Sequence, residues 1–311
     1  MESVHKESLG IKLLSISGGI LASMFFIGFL FMTVFDSPKV MGFLGLFILA
    51  GTLVVDRTST SRVLDGACIG ATLAAITMIG AGLGNTTKSD NITTLFLLGF
   101  AIIIPMFSRG YMLNLIAVLL FNGCLFALIT INKQFSLVHL LAPLLAAAYT
   151  YTSLYKFRIW RIGFLISFIA LLGFLGIESF NKPGYVGFEW LSSILIMVVA
   201  AFILNHIIRT LQIESQQSKV LIYAMTLLLM LLSAFAPAIC GGLLILLLSF
   251  HTNHRFGLII GFIALIYFVG QYYYNLHFSL LIKSAIMVAT GVLFLTAWFI
   301  FKNTLKRYEQ N

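Results

Sequence analysis

Charged side chains are scarce in this sequence: Asp, Glu, Lys and Arg together make up 9% of its 311 residues. A soluble domain needs about 25% charged residues to clothe its surface, so a soluble fold of this length is excluded. Hydrophobic residues reach 60%, which excludes intrinsic disorder as well. Cysteine is nearly absent. Cys68, Cys124 and Cys240 lie in apolar surroundings and form no C-x-x-C pair, so neither a disulfide framework nor a thiolate metal site is expected. They read as small buried hydrophobes. There is no Walker A, no G-x-G-x-x-G, no H-E-x-x-H and no G-x-S-x-G, so no catalytic constellation is expected either. A metal site needs several converging ligands. The one close histidine pair, His251 and His254, sits in a polar turn beside Arg255. Neither a metal nor a cofactor is expected.

What the chain does have is long apolar runs, with a mean hydropathy of +1.05. The runs are continuous and lack the alternation of a membrane β-barrel, so each is read as a helix. Roughly 20 apolar residues cross a 30 Å hydrocarbon core. Twelve runs are marked, at 12–35, 40–55, 63–83, 92–107, 111–131, 136–154, 159–178, 189–208, 219–235, 238–250, 256–274 and 279–301. The expected fold is all-α: a polytopic membrane helix bundle of about twelve transmembrane helices, forming a single transmembrane domain over residues 1–311. The first run is longer than a signal-peptide core of roughly 7–15 residues, and is read as a retained span. Residues 219–250 are too long for one span, and Pro237 with Gly241-Gly242 interrupts them. Two short helices or a re-entrant hairpin would each satisfy the backbone.

The basic residues distribute unevenly. The N-terminus and every second connection hold Lys6, Lys12, Arg57, Arg62, Arg109, Lys156, Arg158, Arg161, Arg209, Lys219, Arg255, Lys302, Lys306 and Arg307, which is 14 of the 19. The other side holds Lys39, Lys88, Lys133, Lys182 and Lys283. Because Lys and Arg stay on the cytoplasmic side, both termini are expected in the cytoplasm. The net charge of +9 is thereby assigned to topology. The cations are scattered singly, so no nucleic acid is expected as a partner.

The ten carboxylates fall at termini, in connections or near span ends. An ionisable acid near a span centre would mark a proton path, and none is placed there. Lys283 lies about four residues into the last run, roughly 6 Å from the interface, within snorkelling reach. It follows Gln271, Tyr272, Tyr273, Tyr274, Asn275 and His277. The tyrosines suit an interfacial belt or cation–π stacking on the lysine. Lys283, Tyr272, Tyr274, Gln271 and His277 form the candidate outer-side polar or anion site, with snorkelling as the plain structural account. Asn114 and Asn122 share one face of the fifth run, near Arg109; Asn205 and His206 lie near the inner end of the eighth. These five are candidate intramembrane polar contacts, with interhelical hydrogen bonding as their simplest role. His139 reads as a core histidine.

Toward the C-terminus the pattern becomes more specific. Phe256-Gly-Leu-Ile-Ile-Gly261, Tyr272-Tyr-Tyr-Asn-Leu276, Ser279-Leu-Leu-Ile-Lys283-Ser284 and Gly291 before the last run resemble a bacterial membrane-protein family, domain of unknown function 4401. Ser279 stands where Thr is usual in that family. Gly18-Gly19 and the Ser108-Arg109 step also fit. The resemblance spans nearly the whole chain, and the Tyr-to-Lys block is its specific part. It implies a bacterial inner (cytoplasmic) membrane protein but no activity, substrate or catalytic residue. The family's genes often accompany another polytopic family and an exported protein with a GDYxxLxY motif. That implies a second polytopic membrane protein and an exported envelope protein as partners, besides the lipid bilayer.

Three functions follow as expectations. The first is a transport or cell-envelope component handling a neutral, anionic or lipidic substrate. The second is a structural or assembly subunit that binds another membrane or exported protein. The third is an intramembrane enzyme, for which no catalytic residues are visible. A polar cavity near the midplane would suit the first; a filled bundle with an apolar lateral patch would suit the second.

Overall fold

The computed structural model describes residues 9–34, 37–58, 62–155, 157–181, 189–212, 216–231, 233 and 236–275, and eleven helical positions between 281 and 299. Among the described residues every regular element is a helix. This follows from the composition, because a backbone in hydrocarbon must satisfy its own hydrogen bonds. The helices are α1 (Leu9–Val34), α2 (Pro38–Thr58), α3 (Arg62–Thr87), α4 (Asp90–Phe107), α5 (Tyr111–Ile131), a 3-10 turn (Phe135–Leu137), α6 (Val138–Leu154), α7 (Arg158–Asn181), α8 (Glu189–Thr210), α9 (Gln216–Leu231), α10 (Pro237–His251) and α11 (Arg255–Asn275). Eight of the described helices are long and apolar enough to cross a membrane. The chain is a multi-pass membrane protein.

Several helices run past their apolar stretch. The second apolar run covers 40–55, whereas α2 has 21 residues and continues through Asp56 and Arg57. The helix does not stop where the hydrocarbon would. Residues 219–250 form two helices, α9 and α10, with Pro237 in the first turn of α10. Proline is suited to that position, since its missing N–H would lack a helical partner anyway.

The chain folds as two compact units. Unit 1 comprises residues 1–141 and 151–168, and α3 is its hub, packed against α1, α2 and α4. The approach of α2 to α3 is set by glycine. A Cβ on Gly82 would lie 2.6 Å from the Gly42 nitrogen and 2.7 Å from the Pro38 carbonyl oxygen. Backbone touches backbone there, the packing that small residues permit between membrane helices. Below this contact the core is built from Leu49, Ala75, Ile79, Ile104, Leu113 and Ala117. At one end of the unit Asn91 and Asn132 exchange amide hydrogen bonds of 3.0 and 3.1 Å, tying the start of α4 to the end of α5.

Unit 2 comprises residues 142–150 and 169–311. Its described core is α10, which packs on α8 and α11. Nine of the fifteen α10 residues are buried, among them Cys240, Leu244, Ile245 and Leu248. A helix apolar on every side is a core helix, which accounts for its short length.

Candidate functional site

Among the described residues, two apolar clefts open between helices of unit 1. The larger, about 370 Å³, opens between α4, α5 and α7. Its lining is Ala101, Ile102, Pro105, Met106, Ala117, Val118, Phe121, Trp160 and Phe164, so no side chain in it carries charge. The Trp160 and Phe164 rings stack at 6.3 Å on one helix face. Pro105 lies within α4, where it removes one backbone donor. The smaller cleft, about 290 Å³, lies between α2, α3 and α4, with Gly42 and Gly82 among its lining and Lys39, Thr86 and Thr87 at the helix ends.

A polar clasp holds one wall of the larger cleft. Asp56 Oδ2 accepts from the backbone N–H groups of Arg109 (2.8 Å) and Gly110 (2.9 Å), where α5 begins. Arg57 donates through Nε to the Phe107 carbonyl and through Nη2 to the Met106 carbonyl at 3.3 Å, where α4 ends. Its guanidinium also sits 5.6 Å from the Phe107 ring centroid. Adjacent residues thus meet opposite helix ends with opposite charge. The carboxylate faces the positive N-terminus of α5, and the guanidinium faces the negative C-terminus of α4. Gly110 leaves room for this carboxylate, because a Cβ there would displace Asp56 Oδ1.

The sequence-derived candidates separate in the structure. Asn122 is buried and donates to Ser167 Oγ at 3.0 Å, joining α5 to α7. Asn114 donates instead to the Gly110 carbonyl of its own helix, at 2.9 Å. Arg109 meets Asp56 through its backbone rather than its exposed side chain. In unit 2, Asn205 is half-buried, while His206 is exposed and its ring lies edge-on to that of His251 at 5.6 Å. His139 is buried. Among the described residues no group of three or more His, Cys, Asp or Glu could hold a metal ion.

The expected outer-side group is described only in part: Lys283 and His277 lie outside the described residues. Gln271 is half-buried against Gly176 of α7, and its Oε1 is a buried acceptor with no hydrogen-bond partner among the described residues. Tyr272 is half-buried, whereas Tyr274 is 81% exposed and lies edge-on to Tyr273 at 5.6 Å.

Sequence reasoning uses Arg57 and Lys39 only as topology markers and leaves Asp56 unmarked. The adjacent opposite charges at a helix end, with an Arg-Gly step before α5, are the signal for the clasp. A buried contact is also unmarked in the sequence: the Tyr149 hydroxyl and Ser249 Oγ lie 3.0 Å apart, both fully buried, between α6 and α10.

Compared with known proteins, residues 8–304 match one family model, described as a domain of unknown function. No curated protein and no solved structure matches the chain.

Proposed function

The chain belongs to the family named domain of unknown function 4401, and on that premise we propose that it is a transport or cell-envelope component that handles a lipidic substrate within the membrane. One observation carries this reading: the 370 Å³ cleft is lined by nine residues, all apolar, on helices suited to lie in lipid. A dissolved ion or sugar entering such a cleft would give up its hydration without a hydrogen-bond partner, at a cost of several kcal/mol. An acyl chain incurs no such cost. The clasp of Asp56 and Arg57 supports the reading, because it fixes the Met106 wall of the cleft.

In this reading the bundle has about twelve spans within one membrane domain, both termini are cytoplasmic, and the membrane is the bacterial inner membrane. Charge supports that orientation. Fourteen of the 19 basic residues fall at the N-terminus and alternate connections, the excess expected of the cytoplasmic side, and in unit 1 two of them, Arg57 and Arg109, meet at one end. No chemical step is assigned; the work is binding and movement of an amphiphile.

Reconstitution into vesicles tests the proposal. With a fluorescent phospholipid in both leaflets and a membrane-impermeant quencher outside, the protein is expected to accelerate loss of the inner-leaflet signal. An Ile102→Trp variant, which fills the cleft from its exposed rim, should slow it. Vesicles that behave as protein-free controls, together with stoichiometric co-purification of another membrane or exported protein, would replace this reading with the assembly-subunit one.

A further inference from the structure

We propose that the smaller cleft, between α2, α3 and α4, binds an anionic phospholipid of the surrounding bilayer, with one acyl chain in the cleft and the headgroup on Lys39. The inference rests on the lipidic reading above for its ligand class, and on separate residues for its site.

The cleft is built into the backbone. Its floor is the contact of Gly42 with Gly82, where a Cβ would stand 2.6 Å from backbone. The shape of that floor is set by the two backbones, with no glycine side chain to fill it. Phe43, Leu46, Phe96 and Phe100 contribute to the remaining lining. From Lys39 to Leu46 the cleft follows α2 for about 10 Å, at a rise of ~1.5 Å per residue. That is roughly two-thirds of one ~15 Å leaflet.

The cleft holds about 290 Å³, room between the helices for part of one slim acyl chain.

Charge decides the headgroup. The lining is apolar except at the end where α2 starts and α3 stops. There Thr86 donates to the Gly82 carbonyl, and Thr87 donates to the Leu83 carbonyl at 2.8 Å. Both hydroxyl protons are therefore committed. Lys39 is exposed and is the cation of the lining. It stands in the first turn of α2, so the positive end of that helix adds to its charge. An apolar channel with a cation at its mouth is complementary to an amphiphile with an anionic head.

The test uses the full-length chain in nanodiscs of equal phosphatidylglycerol and phosphatidylcholine, extracted in mild detergent and analysed by native mass spectrometry. Phosphatidylglycerol should be retained in preference. Lys39→Gln should lower that preference about fivefold, the discrimination of one lysine near a membrane surface, and Lys39→Arg should keep it. Leu46→Trp, which fills the cleft from its exposed rim, should lower retention of both lipids without lowering the melting temperature. Equal retention of both lipids by the parent, or an unchanged preference in Lys39→Gln, would overturn the proposal. Loss of Lys39 dependence with lipid movement intact removes this inference alone. Lys39-dependent retention in a protein that moves no lipid removes the functional reading alone.

Discussion

Asp56 and Gly110, 54 positions apart in the chain, meet at the N-terminus of α5, where the carboxylate accepts the Gly110 N–H at 2.9 Å. The same oxygen takes the Arg109 N–H, so one side chain satisfies the cap donor of α5 and the donor just before it. Hydrogen bonds to a charged group contribute about 1.5–3 kcal/mol. Asp56→Ala is therefore expected to cost about 2 kcal/mol and lower the melting temperature by roughly 4 °C. Asp56→Asn should cost about half as much, since its carbonyl still accepts. Gly110→Ala should destabilise by displacing the carboxylate, and the double variant should lose less than the sum of the two. Additive losses in thermal unfolding would show that the two residues act independently.

Arg57 grips the other half of the same elbow through the Phe107 and Met106 carbonyls and the Phe107 ring. This depends on the planar fork of the guanidinium, which lysine lacks. Lys and Met at position 57 are expected to be equally poor replacements. Because the side chain is exposed, water screens much of the effect, and the stability loss should stay under about 1 kcal/mol. The larger consequence falls on the cleft. With the Met106 wall released, lipid movement in vesicles should slow for both variants, and by the same factor. Rescue by Arg57→Lys would show that charge alone matters here.

The helices were legible in the sequence for a simple reason: hydrocarbon admits few polar residues, so spans and connections differ in composition. The apolar run 111–131 coincides with α5 because Arg109-Gly110 and Asn132-Lys133 bound it on either side. The break before α10 was legible from Pro237. The pairings were not. Asp56 reaches residue 110, and Asn122 reaches Ser167, and neither distance leaves a trace in local periodicity. The clefts were invisible for a different reason. Phe96 and Phe100 line a cleft, while Phe25 and Phe47 are about 78% exposed, yet nothing in the residue type separates the two roles. Of the outer-side group, the sequence marked Gln271 as polar but could not indicate that it packs on Gly176.

The Asn122–Ser167 hydrogen bond fastens α5 to α7, one turn from where Gly163 packs on Val118. Interhelical hydrogen bonds in membranes average about 0.6 kcal/mol. Ser167→Ala should exceed that, to about 1 kcal/mol, because it leaves the buried Asn122 amide without its acceptor. Asn122→Leu combined with Ser167→Ala should recover most of the loss, since no polar group is then stranded. Thermal unfolding of the three variants decides the matter. A double variant weaker than Ser167→Ala alone would show that Asn122 has a further partner.

Gln271 is a polar residue whose replacement is expected to stabilise the protein. Its Oε1 is buried with no hydrogen-bond partner among the described residues, against Gly176. A buried acceptor left unsatisfied costs about 1–3 kcal/mol, and an apolar replacement of similar shape removes that cost. Gln271→Leu should therefore raise the melting temperature. Gly176→Ala should lower it, because the new Cβ would stand 2.9 Å from Oε1. A Gln271→Leu variant that is less stable would mean that Oε1 has an acceptor role in the intact fold.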